Sequence, residues 1–251
     1  MTGESQKKNL IVALHGFLGE PSDWNLLHDL GDKNDFLFPN LWQEEQLTAT
    51  SNFDVWTKRF QLYLETHQAD QYENRILCAY SMGGRLAAHH LVQNPGFWSS
   101  AFLVSTNPGL ESSEEKIKRL QNDRVWAQRF SQWDWNEVLR EWNSQSVFQG
   151  VAVEPERIES RFPKERLVGA LTHWSLGFQE NLRRKIPTTA QRIICLTGEK
   201  DTKFTTLTEE WTQDTPIEHL ISSASGHRLL FDDPNFLFRN IELHLQKFYR
   251  L

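Results

Sequence analysis

The stretch Arg75-Ile76-Leu77-Cys78-Ala79-Tyr80-Ser81-Met82-Gly83-Gly84-Arg85-Leu86-Ala87-Ala88 limits what this chain can fold into more than any other. An apolar run enters a Ser, two glycines follow, and strong helix formers begin. That reads as strand, sharp turn, helix. A Ser at the apex of such a turn has its hydroxyl pushed outward while its backbone is strained. Gly83 leaves room for strand and helix to pass closely, where a Cβ would block them. The pattern is a nucleophile elbow of the G-x-S-x-G kind, with Ala79 in the place of the first Gly.

The rest of the chain supplies a setting for that elbow. Residues 9–14, Asn-Leu-Ile-Val-Ala-Leu, form an apolar run of the kind buried on both faces of a parallel sheet. His15-Gly16-Phe17-Leu18-Gly19 follows it, at the carboxyl edge where open α/β sheets bind ligands. Ser22-Asp23-Trp24 caps a short helix. A second strand covers 35–39 and a polar loop runs to Ser51. A helix with Phe53, Trp56, Phe60 and Leu64 on one face follows. The elbow helix runs to Asn94 and stops at Pro95-Gly96. A strand covers 98–104. From Ser105 to about Lys185 no strand is legible, only helical patches at 113–130, 135–144, 154–161 and 163–181. Alternation resumes with a strand from Arg192, a helix near 204–211, a strand at 217–221 and a last helix from Pro234 to Tyr249. The expected architecture is therefore α/β: a mostly parallel central sheet with helices on both faces and an inserted helical lid. Residues 1–104 and 186–251 form the core, and 105–185 form the lid. Of the lid's tryptophans, Trp126, Trp133, Trp135, Trp142 and Trp174, most are expected in its core and one or two against a pocket.

Composition narrows the function classes. The 251 residues suit one large domain, and 39% hydrophobic with 24% charged residues is ordinary for a globular chain. A net charge of −6 without a basic run argues against nucleic acid. Cys78 and Cys195 both lie in apolar runs and read as core thiols of a reduced compartment. Residues 1–8 are polar, so no signal peptide is expected, and no apolar run approaches the ~20 residues of a membrane span. The expectation is a cytoplasmic protein, monomeric or weakly homo-oligomeric, with no cofactor and no metal.

A Ser hydroxyl needs an imidazole within hydrogen-bond reach, and the imidazole needs an acid to fix its tautomer. Among nine histidines, His28, His67, His89, His90, His219 and His244 sit in elements away from turn glycines, and His173 lies in the lid. His15 reads as shaping its glycine loop. His227, in Ser225-Gly226-His227 after the last strand, is the candidate base. Asp201, in Gly198-Glu199-Lys200-Asp201-Thr202-Lys203-Phe204 after the preceding strand, is the candidate acid, with Asp232 or Asp233 as substitutes. The order Ser81, Asp201, His227 is that of α/β-hydrolases. The backbone N–H groups of Phe17 and Met82 are the candidate oxyanion hole. Removing one such donor typically costs about 3–4 kcal/mol of transition-state stabilisation.

His15-Gly16-Phe17-Leu18-Gly19, Tyr80-Ser81-Met82-Gly83-Gly84-Arg85, Asn107-Pro108-Gly109-Leu110, the Gly198–Phe204 run and Gly226-His227 together resemble the menaquinone-pathway branch of the α/β-hydrolases, the 2-succinyl-6-hydroxy-2,4-cyclohexadiene-1-carboxylate (SHCHC) synthases. The resemblance covers nearly the whole chain. It implies an elimination: the Ser–His pair takes a proton from a cyclohexene ring carbon and pyruvate leaves. Such a substrate carries several carboxylates, and a buried carboxylate needs a cation. Arg85 and Lys203 fit that need. Tyr80, Arg124 and Trp142 match residues of the family's substrate site, with Arg161 or Arg166 as a further cation. The chain departs from the family at Phe38-Pro39-Asn40-Leu41-Trp42 after the second strand and at His173-Trp174. The competing expectation is a carboxylic-ester or C–C-bond hydrolase with Ser81 as acyl nucleophile. An intact triad argues against a non-enzymatic binding protein of the same fold.

Overall fold

Runs such as Leu10-Ile11-Val12-Ala13-Leu14 have no polar side to turn to water, so they pair edge to edge in the middle of a sheet. The computed structural model describes residues 9–148, 153–186 and 192–247. In it six strands, β1 (Asn9–Leu14), β2 (Asn34–Leu37), β3 (Arg75–Tyr80), β4 (Ser100–Val104), β5 (Arg192–Gly198) and β6 (Glu218–Ser222), pair in the order β2-β1-β3-β4-β5-β6. Every pairing is parallel, with Leu14 opposite Ala79 and Tyr80 opposite Val104. Strand order reverses between β1 and β3, the point where doubly wound sheets bind ligands at their carboxyl ends.

The period-2 alternation of a strand divides the core into two layers. On one side Leu10, Val12, Leu14, Leu77 and Ala79 pack with α1 (Phe53–Thr66) and α2 (Met82–Gln93). On the other, Ile11, Ala13, Ile76 and Cys78 pack with Trp24, Leu27 and the helix near the chain's end. The two cysteines are buried, unpaired thiols, one in each layer. Asn52 caps α1, its side chain accepting from the Val55 N–H.

Between β4 and β5 the described residues contain no strand. They hold α3 (Ser113–Gln132), α4 (Trp135–Asn143) and α5 (Lys164–His173). After β5 come α6 (Thr202–Thr212), the short α7 (Leu229–Asp232) and α8 (Pro234–Leu245). Four expectations need correction. The first short helix is a 3-10 helix, Pro21–Leu30, capped by Glu20 and Asp23 rather than by Ser22. Residues 154–161 are irregular apart from one 3-10 turn, Glu159–Arg161. Pro155 removes a donor there, and Arg157 is drawn away to Asp23 at 2.8 Å. The helix expected over 163–181 ends at His173 because the next residues bond elsewhere: Trp174 O accepts from Arg85 and Ser175 Oγ donates to Asp123. The last helix ends at Leu245, and Tyr249 lies outside the described residues.

Candidate active site

Ser81 is the turn residue between β3 and α2, with φ 50° and ψ −108°, a conformation that non-glycine residues rarely adopt. The turn is sharp because the neighbouring backbone is close. A Cβ on Gly83 would stand 2.4 Å from His15 O, and one on Gly84 would stand 1.9 Å from Thr106 Oγ1. Position 83 therefore requires glycine, because backbone would meet its Cβ, Gly84 packs against the Thr106 side chain, and the elbow helix lies directly on the loop after β1.

Two later loops bring Ser81 its partners. Ser81 Oγ lies 3.2 Å from His227 Nε2, and His227 Nδ1 lies 2.7 Å from Asp201 Oδ2. The Asp201 carboxylate is fixed in turn, its Oδ1 capping α6 by accepting from the Phe204 N–H at 3.2 Å. The loops after β5 and β6 touch directly: a Cβ on Gly198 would stand 2.3 Å from Ser225 O. Lys200 N–H donates to Ser225 O across that contact. His227 is buried, ringed by Phe204, Tyr80 and Phe148 with centroids at 4.4, 5.8 and 5.8 Å, and its carbonyl accepts from Ser105 Oγ.

The loop after β1 is held by His15, which is fully buried. Its Nδ1–H donates to Gly16 O and its Nε2 accepts from the Leu41 N–H. Burial lowers its pKa to about 4, which keeps it neutral and able to accept. Trp42 adds a bond from its indole N–H to Gly19 O at 2.7 Å. The Phe38–Trp42 segment is thus the strap that fixes the glycine loop bearing Phe17.

A cavity of about 620 Å³ opens over Ser81. Phe17, Met82 and His227 line it from the sheet edge, Arg85 and Asn107 from behind the elbow, and Trp142 and Trp174 from the helices between β4 and β5. Lys203 also lines it. Trp142 and Trp174 are the pocket tryptophans, while Trp126, Trp133 and Trp135 do not line the cavity. Tyr80 faces a smaller adjoining space, its ring packed on Gly16 and its phenol pKa pushed up by burial. Arg124 is exposed on α3 and does not line the cavity, which takes Asn122, Asp123 and Arg119 from that helix instead. Arg161 pairs with Glu20 at 3.4 Å, and Arg166 bonds Thr48 Oγ1 at 2.9 Å; neither lines the cavity.

Arg85 is the dominant electrostatic feature. It is buried, with its Nη1 donating to Trp174 O at 2.7 Å and to Gln179 Oε1 at 3.3 Å. Burial, reinforced by Arg119, lowers its pKa to about 9. Gln179 is oriented by donating its own Nε2 to Asn107 O. The Asn107-Pro108-Gly109-Leu110 turn supports that arrangement: Asn107 Oδ1 accepts from the Gly109 N–H, and Pro108 O accepts from the Leu182 N–H. Other cations at the cavity are neutralised, Lys118 by Glu114, Arg119 by Asp123 and Arg183 by Glu111. Arg85 and Lys203 have no carboxylate within 4.0 Å among the described residues. A buried guanidinium with only neutral acceptors is prepared for an anion. Sequence reasoning missed Arg119 and Arg183, whose place depends on how the inserted helices dock. It also missed Arg228, which adjoins His227 and had no pattern to mark it.

No protein-family model matches the chain. It is 28% identical over 228 residues to the 2-succinyl-6-hydroxy-2,4-cyclohexadiene-1-carboxylate synthase of Escherichia coli O1:K1, covering 89% of this chain and 88% of that protein. It is 28% identical over 253 residues to a putative synthase of the same name from Haemophilus influenzae, covering 96% and 98%. Among solved structures, MenH from S. aureus superposes with a TM-score of 0.82 at 22% identity, covering 98% of this chain and 96% of that one.

Proposed function

We propose that this chain, a member of the MenH-like family of the α/β-hydrolase superfamily, is a cofactor-independent lyase that eliminates pyruvate from a polycarboxylated cyclohexene, forming 2-succinyl-6-hydroxy-2,4-cyclohexadiene-1-carboxylate. In this reading Asp201 holds the His227 tautomer, and His227 draws the Ser81 proton so that the Ser81–His227 pair acts as base. The base takes a proton from a ring carbon. The C–H electron pair becomes a ring double bond, and the ring C–O bond to the pyruvyl group breaks. The departing enol oxygen takes the proton back from His227, and the enol relaxes to pyruvate. The backbone N–H groups of Phe17 and Met82 stabilise the oxyanion that develops on the substrate's conjugated carbonyl. Arg85 and Lys203 hold carboxylates, Trp142 bounds the ring, Tyr80 meets the substrate from the smaller adjoining space, and the helices of 105–185 act as the lid that excludes water. Arg124 has no contact in this reading.

The observation that carries the proposal is Arg85: a buried cation without a carboxylate, in the same cavity as a hydrogen-bonded Ser–His–Asp chain. An acyl hydrolase of neutral esters would place apolar surface there. The test is continuous detection of pyruvate from the SHCHC precursor, run beside p-nitrophenyl acetate hydrolysis. Pyruvate release at a kcat/KM far above that for the ester is expected. Rapid ester turnover with no pyruvate would replace the elimination by hydrolysis.

A further inference from the structure

Beside Ser81 lies a second, smaller pocket of about 60 Å³ that Arg85 does not line. It shares Ser81, His227, Phe17, Trp142 and Phe148 with the main cavity, so the two spaces adjoin at Ser81 and His227. Two arginines line it. Arg157 is already neutralised by Asp23 at 2.8 Å and Glu20 at 3.6 Å. Arg228 is not. It is 8% exposed, its guanidinium lies 4.2 Å above the Phe148 ring, and its one hydrogen bond among the described residues runs from Nη2 to the neutral side-chain oxygen of Asn143. Glu154 and Asp232 act on it only at longer range, and no carboxylate is within 4.0 Å among the described residues. Arg228 therefore repeats, in the second pocket, the situation of Arg85.

Extending the elimination reading, on which this rests, we propose that the Arg228 pocket is the subsite for the small 2-oxo carboxylate that leaves, while the Arg85 side holds the larger carboxylated ring. Three features fit that occupant. The volume admits a fragment of only a few heavy atoms. The walls of Tyr80, Phe148 and Phe231 suit a flat, conjugated group. A guanidinium held in place by stacking presents a fork that matches a carboxylate bidentately. The placement also puts the breaking C–O bond at the junction of the two pockets, beside His227 Nε2, which must return the proton.

The test is isothermal titration of pyruvate and, separately, of succinate as a probe of the Arg85 side, into wild type, Arg228→Gln, Arg228→Lys and Arg85→Gln, with thermal unfolding of each variant alongside. Arg228→Gln is expected to weaken pyruvate at least about tenfold, or about 1.4 kcal/mol, and to leave succinate within about threefold. Arg228→Lys, which keeps the charge and loses the fork, is expected in between. Arg85→Gln is expected to show the reverse selectivity. Pyruvate binding that ignores Arg228, or no saturable pyruvate binding to folded wild type at tens of millimolar, overturns the subsite. Equal weakening of both ligands in Arg228→Gln also overturns it, by making Arg228 a general support of the fold. The elimination fails separately: Arg228-dependent pyruvate binding without pyruvate release from the precursor keeps the subsite and removes the reaction.

Discussion

At the scale of single residues, Ser81 and Arg85 carry opposite kinds of cost. Ser81 spends backbone strain, with φ 50°, to present its hydroxyl to His227. Ser81→Ala keeps the turn and removes the relay, so kcat for pyruvate release should fall by about 10³ or more; near-normal kcat would take the elbow out of the chemistry. Arg85 spends desolvation. Its charge is buried against two neutral acceptors, so the empty protein gains little from it. Arg85→Met should leave the urea midpoint of the ligand-free protein no lower than wild type while kcat/KM drops about 10²-fold. A midpoint that collapses with the substitution would make Arg85 a structural residue. The triad and Arg85 were legible because each lies a fixed step beyond an apolar run or a Gly pair. Arg228 was not, since a cation next to His227 gains meaning only once Phe148 and Asn143 are seen to hold it.

At the scale of elements, the strands were the most legible part. A run such as Arg192–Gly198 has one way to bury its length, and its edges fell within a residue or two of the expectation. Helix ends in the inserted segment were not legible, because long-range side-chain bonds set them. Asp123 ends the expected long helix at His173 by receiving Ser175 Oγ at 2.7 Å while holding Arg119, and no local signal announces such a bond. The loops after β5 and β6 depend on close backbone passage. Gly198→Ala would put a methyl 2.3 Å from Ser225 O and 2.4 Å from Gly226 O. The expected result is a displaced His227 and a kcat loss of about 10²-fold in protein that still folds. The pair of measurements is kcat and the far-UV melting curve; unaltered kcat would show that the two loops have slack.

At the scale of the whole molecule, buried neutral imidazoles tie the fold's stability to pH. Burial lowers the pKa of His15 to about 4 and that of His90 to about 3, against an ordinary 6.5. Both ring systems accept hydrogen bonds that protonation would abolish, from Leu41 N–H and from the Trp98 indole. The unfolded chain takes up protons below about 6.5 that the folded chain refuses until about 4 or 3. Stability is therefore complete above about pH 6.5 and falls as the pH drops through that window, by up to about 1.4 kcal/mol per pH unit for each group. Urea unfolding at about pH 7 and about pH 5 should show the lower midpoint at the lower pH. Equal midpoints would mean that these rings are protonated at little cost.

The hydrogen bond between Ser81 and His227 joins positions 146 residues apart, and Asp201 enters through a loop that exists only after β5 has inserted beside β4. The elbow rests on the loop after β1 and on β4, whereas its His227 partner follows β6, the last strand in the chain. Sheets closed by such distant pairings fold slowly. A chain emerging from the ribosome therefore carries Ser81 without its His227 partner for most of its synthesis. During refolding, recovered turnover marks the final docking step, later than any signal from helix content.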